Sequence, residues 1–213
     1  MRIRGVCAVA VILSVGPFAM LCGGRSEGAE LPPNVAERIR ENQRSLIQYS
    51  WTMRIQIEDA GQDLGSTTER LQFGKQGYVE REMLDDDRKK AALRPEIVAL
   101  VERVVNTIVP YVAPNPDGAS RFLAEAEVQK EGEGLRVRGA GFVDPEDTMD
   151  LVVGEEPMRA IRMAVVTTLE DLPLRLRAEY EQLPAGPNHI ARITADYKDL
   201  RIIIDNTDYK KVR

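Results

Sequence analysis

The chain is predicted to be an α+β protein: a curved, incompletely closed antiparallel β-sheet, a half-barrel, wrapped around an N-terminal helix and a central helical insert. Three observations lead there. Segments in which apolar and polar residues alternate recur before and after the middle of the chain, which is the period of a half-buried strand. Short turn-forming stretches rich in Gly, Pro and Asp join them at intervals of roughly a dozen residues, the spacing of one antiparallel sheet. Between the two sets lies Pro95 to Pro110, where Ile97, Leu100, Val101, Val104, Val105 and Ile108 recur every three or four residues. Val98 and Val109 widen that stripe, so this helix is expected to be buried on most sides, inside the curve of the sheet.

The elements follow in order. Pro32-Pro33 ends a leader, and Asn34 with Glu37 forms a capping box for an amphipathic helix over about 35–48. Its stripe is Val35, Ile39 and Leu46. Tyr49, Trp51, Met53, Ile55 and Ile57 then alternate with polar partners, a clean strand. Asp59 to Ser66 reads as a turn, and Thr67 to Phe73 as the second strand. Lys75-Gln76-Gly77 turns again, and Tyr78 to Leu84 is the third strand of the meander. The charge run Asp85 to Lys90 reads as a solvated loop, because neighbouring aspartates do not converge on a metal unaided.

Pro95 suits the first turn of the central helix, where its missing N–H costs nothing. Pro110 is expected to kink or end it. Glu102, Arg103 and Asn106 argue against a membrane span. Ala119 to Glu125 reads as a short helix. Seven strand-like stretches follow, over Val128–Lys130, Leu135–Gly139, Met149–Val153, Ile161–Thr167, Leu174–Tyr180, Ile193–Tyr197 and Leu200–Ile204. In the fourth of these, Ile161, Met163, Val165 and Thr167 are assigned to one face.

Composition is that of a soluble globular protein, with 30% charged and 43% hydrophobic residues. The net charge of -5 becomes more negative if the leader is removed, since Arg2, Arg4 and Arg25 leave against Glu27 alone. An acidic chain without a basic cluster is a poor partner for nucleic acid. Arg2 and Arg4 precede an apolar run from Val6 to Leu21, the layout of an export signal, so residues 1–28 are assigned to that segment and 29–213 to a single domain. The alternative, an uncleaved anchor, is opposed by Gly16-Pro17 inside the run. Cys22 followed by Gly23-Gly24 resembles a bacterial lipoprotein signal, but Leu21 stands where that pattern has a small residue. Cys7 and Cys22 are the only cysteines, so residues 29–213 hold no disulfide. The expected location is the periplasm or outer envelope, and the expected state a monomer.

The order helix, three strands, helical insert and further strands, behind an export signal, resembles the periplasmic lipoprotein carrier and receptor superfamily (LolA/LolB-like). Asn42-Gln43-x-x-Leu46-x-x-Tyr49-x-Trp51 and the ending Asp205-Asn206-Thr207-Asp208-Tyr209 are also similar to segments of a group of secreted bacterial proteins. The superfamily resemblance implies a bent sheet around helices with an apolar cavity for acyl chains. The candidate lining is Trp51, Met53, Ile55, Leu71 and Phe73 from the first two strands, Val101, Val105 and Ile108 from the central helix, and Met163, Val165 and Leu176 from the later strands. For each of these residues taken singly, plain core packing between sheet and helix is the commoner role.

Catalysis has little support in the residues. His189 is the only histidine, no Gly-x-Ser-x-Gly is present, and no glycine-rich phosphate loop opens a helix. The acids Asp144, Glu146, Asp147 and Asp150, or Asp205 and Asp208, cannot be placed across a substrate from their spacing. The expectation is a non-enzyme without cofactor or metal, binding lipid or a lipidated protein. The alternative is a structural or interaction protein of the envelope, with the same fold and a filled core.

Overall fold

A computed structural model describes residues 35–74, 79–88, 94–112, 115–154, 159–184 and 186–212. The proposed export segment, Cys22 and the turns at 75–77 and 155–157 lie outside the described residues.

Helix α1 (Val35–Leu46) leads into a meander of β1 (Tyr49–Asp59), β2 (Gln62–Phe73) and β3 (Val79–Asp86). Helices α2 (Pro95–Val112) and α3 (Pro116–Glu125) form the insert. Seven strands complete the chain: β4 (Glu127–Glu131), β5 (Gly134–Ala140), β6 (Thr148–Gly154), β7 (Arg159–Leu169), β8 (Leu172–Gln182), β9 (Asn188–Tyr197) and β10 (Leu200–Lys211). All ten strands make one antiparallel sheet in the order β3-β2-β1-β10-β9-β8-β7-β6-β5-β4, with β3 and β4 as unjoined edges. The protein is therefore α+β with a curved open sheet, as the alternation predicts.

Tight hairpins set the register. Ala60 and Gly61 both take positive φ, 49° and 76°, the backbone of a two-residue loop that matches strand twist. Strand β2 consequently starts at Gln62, so most of the stretch expected to turn between Asp59 and Ser66 is strand. Glu170 and Asp171 repeat the device between β7 and β8, with φ of 52° and 61°. Chain ends and interior meet at β1, which pairs β2 on one side and β10 on the other; Ile55 lies opposite both Thr67 and Ile204.

The expected solvated loop after the meander begins later than the charge run does. Asp85 and Asp86 belong to β3, and the Asp87 carboxylate accepts hydrogen bonds from the Ser66 N–H and hydroxyl. These bonds hold the Asp87 carboxyl below its ordinary value, the backbone one contributing most.

Two expectations about α2 need correction. Pro110 lies inside the helix, which runs on to Val112; the proline stands in the last turn. Burial covers one face: Ile97, Val101, Val104, Val105, Ile108 and Tyr111 are buried, whereas Val98, Leu100 and Val109 are half-buried and Arg103 and Asn106 exposed. Helix α2 thus lies against the sheet near β8 and β9, with one flank toward water.

A third correction concerns β7. The register shifts between Val152 and Val153, so that Val152 faces Arg162 and Val153 faces Ala160. Ile161 is the extra residue of this bulge and is 42% exposed, while Met163, Val165 and Thr167 are buried.

Candidate functional site

The concave face of the sheet has two unlike ends. At one, α2 fills the space: Val101, Val104, Val105 and Ile108 join Leu174, Leu176, Ala195 and Ile202 in one buried cluster. At the other, α1 and α3 pack on each other and, with the sheet, line a cavity of about 400 Å³. That volume falls within the roughly 300–1,000 Å³ typical of small-molecule sites.

Strands β1, β2 and β6 to β10 give residues to this cavity. Helix α1 contributes Ile39 and Leu46 along with Arg38, Asn42 and Gln43, and α3 contributes Ala119, Phe122 and Leu123. Helix α3 is seated by its phenylalanine. The Phe122 ring lies where a Cβ on Gly139 of β5 would stand, 2.6 Å from its Cε2, and meets Phe142 edge-on at 5.3 Å. Helix α1 is held by Asn42. Its side-chain amide donates to the Asn188 carbonyl at 2.8 Å and accepts the Asn188 N–H at 2.7 Å, in the manner of a strand neighbour.

One wall of the cavity is a row of rings, one from each of four adjacent strands. Phe73 of β2 lies 5.8 Å from Trp51 of β1, which stacks at 6.0 Å on Tyr209 of β10, which in turn lies 4.2 Å from His189 of β9. His189 is 6% exposed and its Nδ1 makes no hydrogen bond; neither does the buried Oδ1 of Asn188. Burial lowers the proton affinity of the imidazole below its ordinary value of 6.5, outweighing the Glu181 carboxylate and backbone carbonyl, which raise it. Burial raises the Tyr180 and Tyr209 phenols well above the usual range.

The floor is tied to α2 through Asp147, whose side chain is fully buried. It accepts the N–H groups of Phe142, Val143 and Asp144 and, at 2.9 Å, the Tyr111 hydroxyl. Burial alone would raise this carboxyl, but the four donors together outweigh it and hold it below its ordinary value. Burial above all, opposed by a hydrogen bond with Thr167 and reinforced by Asp147, pushes the Tyr111 phenol up to about 12. The other acids of interest serve pairs on the sheet: Asp150 meets Arg136 and Arg138, and Asp205 meets Arg192 at 2.6 Å. Among the described residues no group of three or more His, Cys, Asp or Glu side chains is placed to hold a metal.

Of the residues expected to line a cavity, Trp51, Met53, Leu71, Phe73 and Met163 do so. Val101, Val105, Ile108, Val165 and Leu176 do not; they lie in the filled end of the face. Ile55 is half-buried and packs against the core. The correction has a simple cause. Residues two apart share a face of a strand, but a strand of ten residues crosses both ends of the sheet. Unforeseen members include Asn42, Phe122, Ala160, His189, Asn206 and Tyr209. The two segments quoted above for their likeness to secreted proteins held a signal for several of them. Asn42, Gln43, Leu46 and Trp51 from the first, and Asn206 and Tyr209 from the second, converge on this cavity.

No protein-family model matches this chain, and no curated protein matches it. Solved structures similar to it include a DUF1329 family protein from Desulfovibrio piger ATCC 29098. That match has 13% identity and a TM-score of 0.42 and covers 84% of this chain and 90% of that one. Another is a LolA superfamily protein from Nitrosomonas europaea, at 12% identity and a TM-score of 0.33, covering 84% of this chain and 94% of that one.

Proposed function

We propose that this is an exported envelope protein whose cavity holds a lipid or the acyl chain of a lipidated protein, and that it binds rather than catalyses. The observation that carries the reading is the cavity itself: about 400 Å³ under two helices, lined mostly by apolar and aromatic side chains. A methylene moved from water into such surroundings releases roughly 0.8 kcal/mol. A ten-methylene tail therefore gains about 8 kcal/mol before the losses of immobilisation are subtracted. The sulfur of Met163 and the flexible side chains of Met53 and Met149 suit a partner of variable shape. Export is supported by the apolar run Val6–Leu21 behind Arg2 and Arg4, and among the described residues no helix is long and apolar enough to cross a membrane.

The test is native mass spectrometry, with solvent extraction, of the full chain produced with its own leader in a bacterial host and recovered from the periplasm. A bound lipid in stoichiometric amount is the expected result. Protein free of lipid that also fails to take up a fluorescent fatty acid would instead favour an envelope interaction protein.

A further inference from the structure

The cavity contains a feature that an acyl chain alone leaves unsatisfied. On neighbouring residues at the start of β9, two polar atoms are shut away from water and make no hydrogen bond: Asn188 Oδ1 and His189 Nδ1. Such atoms are rare in folded proteins, and each left unpaired costs on the order of 1–3 kcal/mol. Both residues line the cavity. The rest of Asn188 is fully engaged, its Nδ2 donating to the Ala160 carbonyl at 2.9 Å and its backbone held by Asn42. The amide oxygen therefore has its orientation fixed and needs a donor. The neutral imidazole offers either a donor or an acceptor at Nδ1, according to its tautomer.

We propose that the cavity is specific for single-chain lipids with a hydroxyl-bearing head, such as a monoacylglycerol, with Asn188 and His189 receiving the hydroxyls and the tail lying toward Phe122 and Met163. This rests on the lipid-binding reading above and narrows it. A hydroxyl both donates and accepts, so it satisfies the amide oxygen and either form of the ring. An ester or an ionised carboxylate only accepts, and would leave the Asn188 oxygen unpaired. Sites built to hydrogen-bond a hydroxyl discriminate strongly against analogues lacking it, because the buried partner is then stranded. The ring row supplies the other half of the fit: Tyr209 covers the imidazole at 4.2 Å and Trp51 extends the apolar wall toward the tail.

The experiment uses the only tryptophan, Trp51, as a reporter, since it lines the cavity. Its fluorescence is followed while delipidated protein is titrated with monolauroylglycerol and with methyl laurate, which share a tail and differ in the head. The native protein should bind the glyceride at least tenfold more tightly. His189→Phe keeps a ring against Tyr209 but no nitrogen; it should bring the two affinities within about threefold of each other, mainly by weakening the glyceride. His189→Gln should retain most of the preference. Equal affinities in the native protein would make ordered water the partner of these atoms and overturn the proposal, while leaving the lipid reading intact. A preference that survives His189→Phe unchanged overturns it too. If neither lipid binds, both readings fall. Should His189→Phe not fold, the native comparison and His189→Gln decide.

Discussion

The two ends of the concave face are made by the same strands and come out differently. Strand β8 gives Leu174 and Leu176 to the filled end and Tyr180 to the hollow one; β10 gives Leu200 and Ile202 to the first and Asn206 and Tyr209 to the second. What differs is the helix above. Helix α2 lowers a stripe of valines and isoleucines whose branched side chains interdigitate with those of the sheet. Helix α1 presents Arg38, Asn42 and Gln43 among its contacts with the cavity, and is fastened by an amide pair at Asn42. Space persists where the covering element carries polar residues and is anchored by directional bonds. It closes where the cover lowers a continuous apolar stripe onto the sheet.

Substitutions measure that contrast, and the largest effect is expected at its boundary. Asp147→Ala strands three backbone N–H groups and the Tyr111 hydroxyl, and should lower stability in urea by about 3–5 kcal/mol. Tyr111→Phe should cost only about 1 kcal/mol, because the other three donors keep the carboxylate satisfied. Within the filled end, Ile108→Ala should cost about 2–5 kcal/mol, whereas Leu123→Ala, facing the cavity, should cost under about 1.5 kcal/mol. Equal losses in calorimetry would mean that the two ends are packed alike. Ala160→Phe points a ring into the hollow from the β7 bulge. It should weaken lipid uptake at least tenfold while changing stability by less than about 1 kcal/mol, since it enters space rather than crowding a core.

The smallest expected effect is one of pH. Burial leaves the folded His189 with a lower proton affinity than the unfolded chain, so the unfolded state binds the proton first. Its contribution is fully present above the ordinary value of 6.5 and is lost as pH falls from there toward the lower folded value. Asp147 behaves likewise in the carboxylate range: its contribution is present above 3.8 and lost as pH falls further. Stability measured between pH 7 and pH 5 should therefore decline in the native protein and less in His189→Phe. Identical profiles would remove the imidazole from the account.

Much of the fold was legible in the sequence for a physical reason. Alternation over β1, β7 and β8 records which residues face inward, and α2's three-and-four spacing records a helix. The site was less legible. Periodicity names the buried face of an element but not what lies opposite. Val165 and Met163 sit two residues apart on one face and share the buried cluster, yet only Met163 also lines the cavity. Ile161 followed the pattern and was turned outward by a bulge encoded in the pairing with β6, which the local sequence does not display. His189 follows Gly186-Pro187-Asn188, which marks a turn or a strand start but not which way the ring points; β9 begins at Asn188 and draws the ring inside.

The sheet's two rims, β3 and β4, never meet. In a closed barrel the girth is locked by the number of strands and their stagger. Here no such ring of bonds fixes the girth around the hollow, a geometry that, under the proposed function, suits tails of unequal bulk. The charges along β3, from Glu80 to Asp86, then guard its bare rim against joining another chain.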